Sequence, residues 1–152
     1  MKPRARAWIV LGGSLAAHLV AVQLIPSPWL VPNLTLVGVV AGVAAAPQHW
    51  LGLGGAAGLL SMLWAPSQGW SVAAGYIAVG AFARLATRHW DASDPRVGAI
   101  IMAIGSGAVT AGWVTLLPAR PWALLGLAAL HIALTTGAGW IVSMGAAWSD
   151  GS

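Results

Sequence analysis

From Trp8 to Thr87 the chain carries a single formally charged side chain, Arg84, and from Val97 to Trp148 again only one, Arg120. Between those marks the apolar residues run on without the period-two alternation of a half-buried strand, which argues against a β-barrel. Runs of about 18 or more apolar residues read as membrane-spanning helices, because ~20 residues at 1.5 Å rise cross a hydrocarbon core of roughly 30 Å. The pattern predicts six, over residues 8–25, 31–46, 50–65, 70–87, 97–117 and 122–148.

The punctuation agrees with that division. Pro26, Pro28, Pro47, Pro66, Pro95, Pro118 and Pro121 all fall in or beside the breaks, where a missing N–H and a locked φ do least harm. The second and third segments are the weak point at 16 residues each: they form either a tight helical hairpin or a pair that does not fully cross.

Composition sharpens the class. A hydrophobic fraction of 59% with 7% charged residues lies far from the soluble average of about half apolar and about a quarter charged. The expected fold is an all-α integral membrane protein, one compact bundle over residues 1–152. Lys2, Arg4 and Arg6 before an apolar run also resemble a signal peptide, but the run exceeds a usual apolar core and five more segments follow, so it reads as a retained first helix.

With six crossings, six of the seven basic residues (Lys2, Arg4, Arg6, Arg84, Arg88 and Arg96) share one face with both termini, against Arg120 on the other. The positive-inside rule then makes both termini cytoplasmic. The sequence pI near 11.3 thus marks orientation and gives no reason to expect nucleic acid. Trp8, Trp50, Trp90 and Trp148 fall at the cytoplasmic helix ends and Trp29, Trp64, Trp70 and Trp122 at the outer ends, as interfacial anchors do; Trp113 and Trp140 sit deeper and are expected between helices. The connections are short except for residues 88–96, and neither face is expected to carry a soluble domain.

The supply of reactive groups is small: four histidines, three aspartates and no cysteine. No two histidines stand four apart and no two carboxylates can be placed together in the membrane, so neither a catalytic set nor a metal-ligand set is expected. His18 and His131 lie inside predicted helices, where the usual outcome is a neutral imidazole bonded to a hydroxyl or carbonyl of a neighbouring element. Arg84 and Arg88 share one helical face and suit anionic lipid or an acidic partner surface. Gly38/Gly42, Gly54/Gly58 and Ala108/Gly112 stand four apart, which lets helix backbones approach closely. Thr110, Thr115, Thr135 and Thr136 offer bonds across helices.

The middle of the chain carries a recognisable order of landmarks. Pro32-Asn33-Leu34 opens the second helix and Pro47 ends it, Gly52, Gly54, Gly55 and Gly58 lead into Leu59-Leu60-Ser61, and Gly69 follows. This order resembles the MreD family of bacterial rod shape-determining membrane proteins over residues 32–86. Ser61 stands where the family often has an aspartate, which keeps a hydrogen-bonding group and loses the charge.

The resemblance implies a non-enzymatic scaffold of the cell-elongation machinery in the bacterial cytoplasmic membrane, without cofactor. It would bind MreC directly, and MreB and RodA with a penicillin-binding transpeptidase through that complex, besides membrane lipids. Pro32, Asn33, Pro47, Gly54, Gly58, Ser61, Gly69, Arg84 and Arg88 are the residues it marks for partner binding. Because the MreD fold is similar to the substrate-binding subunits of energy-coupling-factor transporters, a vitamin-binding subunit is the rival. Trp29, Asn33, Ser67, Gln68, Trp70, Tyr76 and Arg120 would line its outward site.

Overall fold

A computed structural model describes residues 2–62, 69–91, 94–116 and 121–150, and all its regular structure is helical. The helices are α1 (Pro3–Leu24), α2 (Leu34–Ala45), α3 (Trp50–Ser61), α4 (Gly69–His89), α5 (Pro95–Leu116) and α6 (Pro121–Asp150), with single 3-10 turns at Pro28–Leu30 and Pro47–His49. Proline opens α1, α5, α6 and both 3-10 turns, the position where its missing N–H would have had no helical partner anyway. Pro47 stops α2 by holding Ala46 extended, at φ −149° and ψ 76°.

Among the described residues four helical stretches are long and apolar enough to cross a membrane: Pro3–Leu24, Pro28–Ala45, Pro95–Gly112 and Leu124–Met144. At 12 residues α3 spans only ~18 Å. The 21-residue α4 has the length but carries Arg84, Arg88 and His89 in its last two turns. At α2 residues 31–33, which the apolar pattern joins to the helix, lie outside it, and the helix proper starts at Leu34.

Glycine decides which helices pair closely. A Cβ on Gly38 would stand 2.7 Å from Ser14 Cβ, fixing α2 against α1. One on Gly58 would stand 2.5 Å from Ala73 Cα, and one on Gly54 2.8 Å from the Tyr76 carbonyl oxygen, so α3 and α4 touch backbone to backbone. Gly139 admits the Met102 side chain, joining α5 to α6. In each pair the partners run antiparallel. Below, the near end of the bundle is the end where α1 begins and the far end is the one where it finishes.

Helix α2 is the axis. It touches all five other helices, and its Leu36, Val37, Val39, Val40 and Val43 are buried in a core completed by Leu11, Leu53, Val79, Ile101 and Met102. Burial on every side explains why it shows no polar face. By contrast α4 and α5 leave between them a lateral groove of about 360 Å³, lined by Ser71, Gly75, Phe82, Ile104 and Ala108 among others. The small pair Ala108 and Gly112 opens onto this groove, whereas the other small pairs close helix contacts.

Candidate functional site

The polar residues of the bundle interior gather where α2 begins. Asn33 caps that helix, its Oδ1 accepting from the Leu36 N–H at 3.0 Å, as an N-cap side chain does. The same oxygen accepts from the Tyr76 hydroxyl of α4 at 3.0 Å. On the main-chain side, the Asn33 N–H donates to Thr135 Oγ1 of α6 at 2.9 Å. Thr135 in turn donates to the His131 carbonyl one turn back, at 2.9 Å. One residue therefore ties α2, α4 and α6.

Tyr76 is 3% exposed and Ser61, at the last turn of α3, 2%. The hydroxyls of Ser61 and Thr35 face the Tyr76 hydroxyl within electrostatic reach but short of ordinary hydrogen-bond geometry. Ser61 comes to Tyr76 because Gly54 and Gly58 let α3 lie directly on α4. A larger residue at either glycine would lift the whole turn away.

The extended segment leading to Asn33 raises a separate problem. Non-helical backbone at membrane depth must have its carbonyls satisfied from within the protein. Two histidines supply that need: His18 of α1 hydrogen-bonds the Pro32 main chain, and His131 of α6 that of Trp29 and Val31. The Trp29 indole stands edge-on to the His131 ring, centroids 6.2 Å apart and planes at 86°. Both imidazoles are thus bonded to carbonyls of a neighbouring element.

The residues marked in the sequence fall in four places. Asn33 and Ser61 converge on Tyr76, and Pro32 precedes Asn33 in the segment that leads into α2. Gly54 and Gly58 are buried at the contact of α3 with α4, so their small size serves the chain's own packing. Gly69 is the first residue of α4, two turns before Tyr76. Pro47, Arg84 and Arg88 belong to the opposite, near end: Pro47 opens the turn before α3, and the half-buried Arg84 holds its guanidinium 5.8 Å from the centre of the Trp50 ring. Arg88 is exposed.

Sequence reasoning did not single out Tyr76 as a centre. Its signal was available, since a lone tyrosine inside an apolar run needs a partner for its hydroxyl. Trp140, expected between helices, is 46% exposed, and its Nε1 donates to Met144 Sδ on its own helix at 2.8 Å. That local bond satisfies the indole without a neighbour, which is why depth alone misplaced it. Trp70, at 74% exposed, lies open as an anchor would. Trp64, Ser67, Gln68 and Arg120 lie outside the described residues.

Among the described residues, no group of three or more histidine or aspartate side chains could hold a metal ion. What the arrangement does chemically is lock: the Tyr76–Asn33 and Asn33–Thr135 bonds join the start of α2 to α4 and to α6. No family model, no curated protein and no solved structure matches this chain.

Proposed function

We propose that the chain is a non-enzymatic scaffold of MreD type: a six-span bundle of the bacterial cytoplasmic membrane with both termini inside, binding MreC and, through it, MreB and RodA with its transpeptidase. The observation that carries this reading is where the polar groups are used. Asn33, Tyr76, Thr135, His18 and His131 are engaged in holding helices and the α2 entrance together. The two landmarks of the MreD resemblance, Asn33 and Ser61, lie either side of Tyr76. What faces outward is apolar helix surface and the groove between α4 and α5, the kind of surface that receives another transmembrane helix. Arg84 and Arg88 would then meet lipid headgroups or a cytoplasmic partner.

A vitamin-binding subunit would instead need polar and aromatic groups convergent on a ligand. The groove between α4 and α5 is lateral and lined almost wholly by apolar residues, which favours the scaffold.

The test is co-purification of the tagged chain with MreC in mild detergent. The wild type is expected to retain MreC, and Ala78→Phe with Ala108→Phe, which fills the groove from two exposed positions, to weaken retention by about tenfold, or ~1.4 kcal/mol. A wild-type chain that inserts but never retains MreC refutes the scaffold. A groove-filled variant that retains it fully removes the groove from the interface.

A further inference from the structure

Four polar side chains around the start of α2 are sealed from solvent: Asn33 at 4% exposed, Thr35 at 0%, Ser61 at 2% and Tyr76 at 3%. Asn33 and Tyr76 are bonded to each other, the Asn33 Oδ1 accepting from the Tyr76 hydroxyl and from the Leu36 N–H, each at 3.0 Å. Thr35 Oγ1 and Ser61 Oγ have no partner among the described residues. A buried hydroxyl left that way is costly, and native structures settle nearly all of them with a protein group or an ordered water.

Other hydroxyls of this bundle are settled locally. Thr87, Thr135 and Ser143 each donate to a carbonyl three or four residues back on their own helix, a bond open to a helical serine or threonine. Ser61 has the Ala57 carbonyl at that spacing and does not use it. Thr35, in the first turn of α2, has only non-helical residues behind it. Ser106 and Thr136 also lack a partner; what sets Thr35 and Ser61 apart is a shared neighbour.

Helices α2, α3 and α4 all touch one another, and their register brings the two hydroxyls to one point. Thr35 follows Asn33 by two residues, and Asn33 holds the Tyr76 hydroxyl. On α3, Gly58 lies against Ala73, and Ser61 stands nearly one turn further toward the far end. The Tyr76 side chain leans the same way, since helical side chains tilt toward the N-terminus of their helix. Both hydroxyls therefore face the Tyr76 oxygen without the geometry of a direct bond.

We propose that Thr35, Ser61 and Tyr76 hold an internal water molecule that bridges α2, α3 and α4. The donors and acceptors match. The Tyr76 hydroxyl has given its proton to Asn33 and keeps an acceptor lone pair, while Ser61 and Thr35 each have a proton to give. A water that accepts from these two and donates to Tyr76 makes three bonds, about the usual number for a buried water, and has no acceptor left for the Tyr76 proton. The occupant is neutral, because the three helices carry no charged side chain at this level. Arg84, Arg88 and His89 of α4 stand at the near end, as do Asp91, Asp94 and Asp150, the three aspartates of the chain. Through the water the last turn of α3 joins the lock at the α2 entrance, whichever partner the bundle binds.

Radiolytic hydroxyl-radical labelling reads the site directly, because a radical formed from a bound water marks the side chain beside it. The chain has a single tyrosine, so oxidation of Tyr76 in the intact protein in micelles is unambiguous by mass spectrometry. Met102, 1% exposed and set in the apolar core, is the dry internal reference. After correction for the intrinsic reactivity of each residue type, Tyr76 is expected to label and Met102 not. Thr35→Val with Ser61→Ala leaves the water a single partner, fewer than a buried water needs, and is expected to abolish the Tyr76 label. Labelling of Tyr76 no greater than that of Met102 in the wild type overturns the site, and so does a label that persists in the folded double variant. Should the double variant fail to insert, Ser61→Ala alone carries the same test: a reduced label is expected, and an unchanged one overturns the proposal.

Discussion

The Asn33 side chain accepts two hydrogen bonds from different elements, and cutting it back should cost more than either bond suggests. Asn33→Ala removes the cap on α2, worth ~1 kcal/mol. It also leaves the Tyr76 hydroxyl, at 3% exposed, without its acceptor at 3.0 Å, and an orphaned buried hydroxyl costs ~1–3 kcal/mol. The total expected is ~2–4 kcal/mol. Tyr76→Phe removes the hydroxyl and its partner's bond together, so nothing is left that needs water. That change should cost about 0.6–1.5 kcal/mol, the range of a single interhelical bond in a membrane protein or an ordinary protein hydrogen bond.

In the Tyr76→Phe background, Asn33→Ala loses only the cap. The double-variant cycle should therefore show a coupling of ~1–3 kcal/mol between the two positions. The measurement is reversible unfolding in mixed micelles with increasing SDS, followed by helical circular dichroism, for the wild type, both single variants and the double variant. An equal cost of Asn33→Ala in both backgrounds would refute the reasoning, because it would mean that the hydroxyl finds another partner, Ser61 and Thr35 being the nearest candidates.

Other substitutions separate packing from surface. Gly58→Leu drives a side chain into the Ala73 backbone, 2.5 Å from where its Cβ would stand, and should lower stability by about 3 kcal/mol or more in the same assay; loss of MreC in that variant would follow from the disturbed α3–α4 contact. Gly12→Ala on α1 meets nothing within 4 Å and should be neutral or stabilising by up to ~1 kcal/mol, the gain in helix propensity. Arg84→Ala loses the guanidinium held over Trp50 and should cost ~0.5–1 kcal/mol, read as thermal stability in detergent. Arg88→Ala, on an exposed position, should leave that reading unchanged.

Much of the helical plan is legible residue by residue. The apolar runs and their proline breaks set six helices whose ends lie within a few residues of those observed, because hydropathy and the missing proline N–H act locally. The exceptions have local causes too. Residues 31–33 are apolar enough to join a helix, but Pro32 and the capping asparagine after it keep them extended. Trp140 was placed between helices by depth along the chain, whereas its bond to Met144 four residues on satisfies it at the surface.

The Asn33 node was only half visible. A Pro-Asn pair opening a helix signals a cap from sequence alone, and the lone Tyr76 signals a need for a partner. Nothing local says that these two needs meet, or that Thr135, 102 residues away, completes them.

By itself the sequence determined the apolar runs long enough to cross a membrane, the number of helices and the shortage of groups for chemistry, since each follows from side-chain type summed over short windows. Only the tertiary structure decided which small-residue stripes close helix contacts and which one lines an open groove. It also decided that His18 and His131 meet the same extended segment, and that Ser61 and Asn33 flank one tyrosine. Those outcomes depend on which helices become neighbours and in what register, and that is settled by close approach at Gly38, Gly54, Gly58 and Gly139, which no stretch of sequence shows on its own.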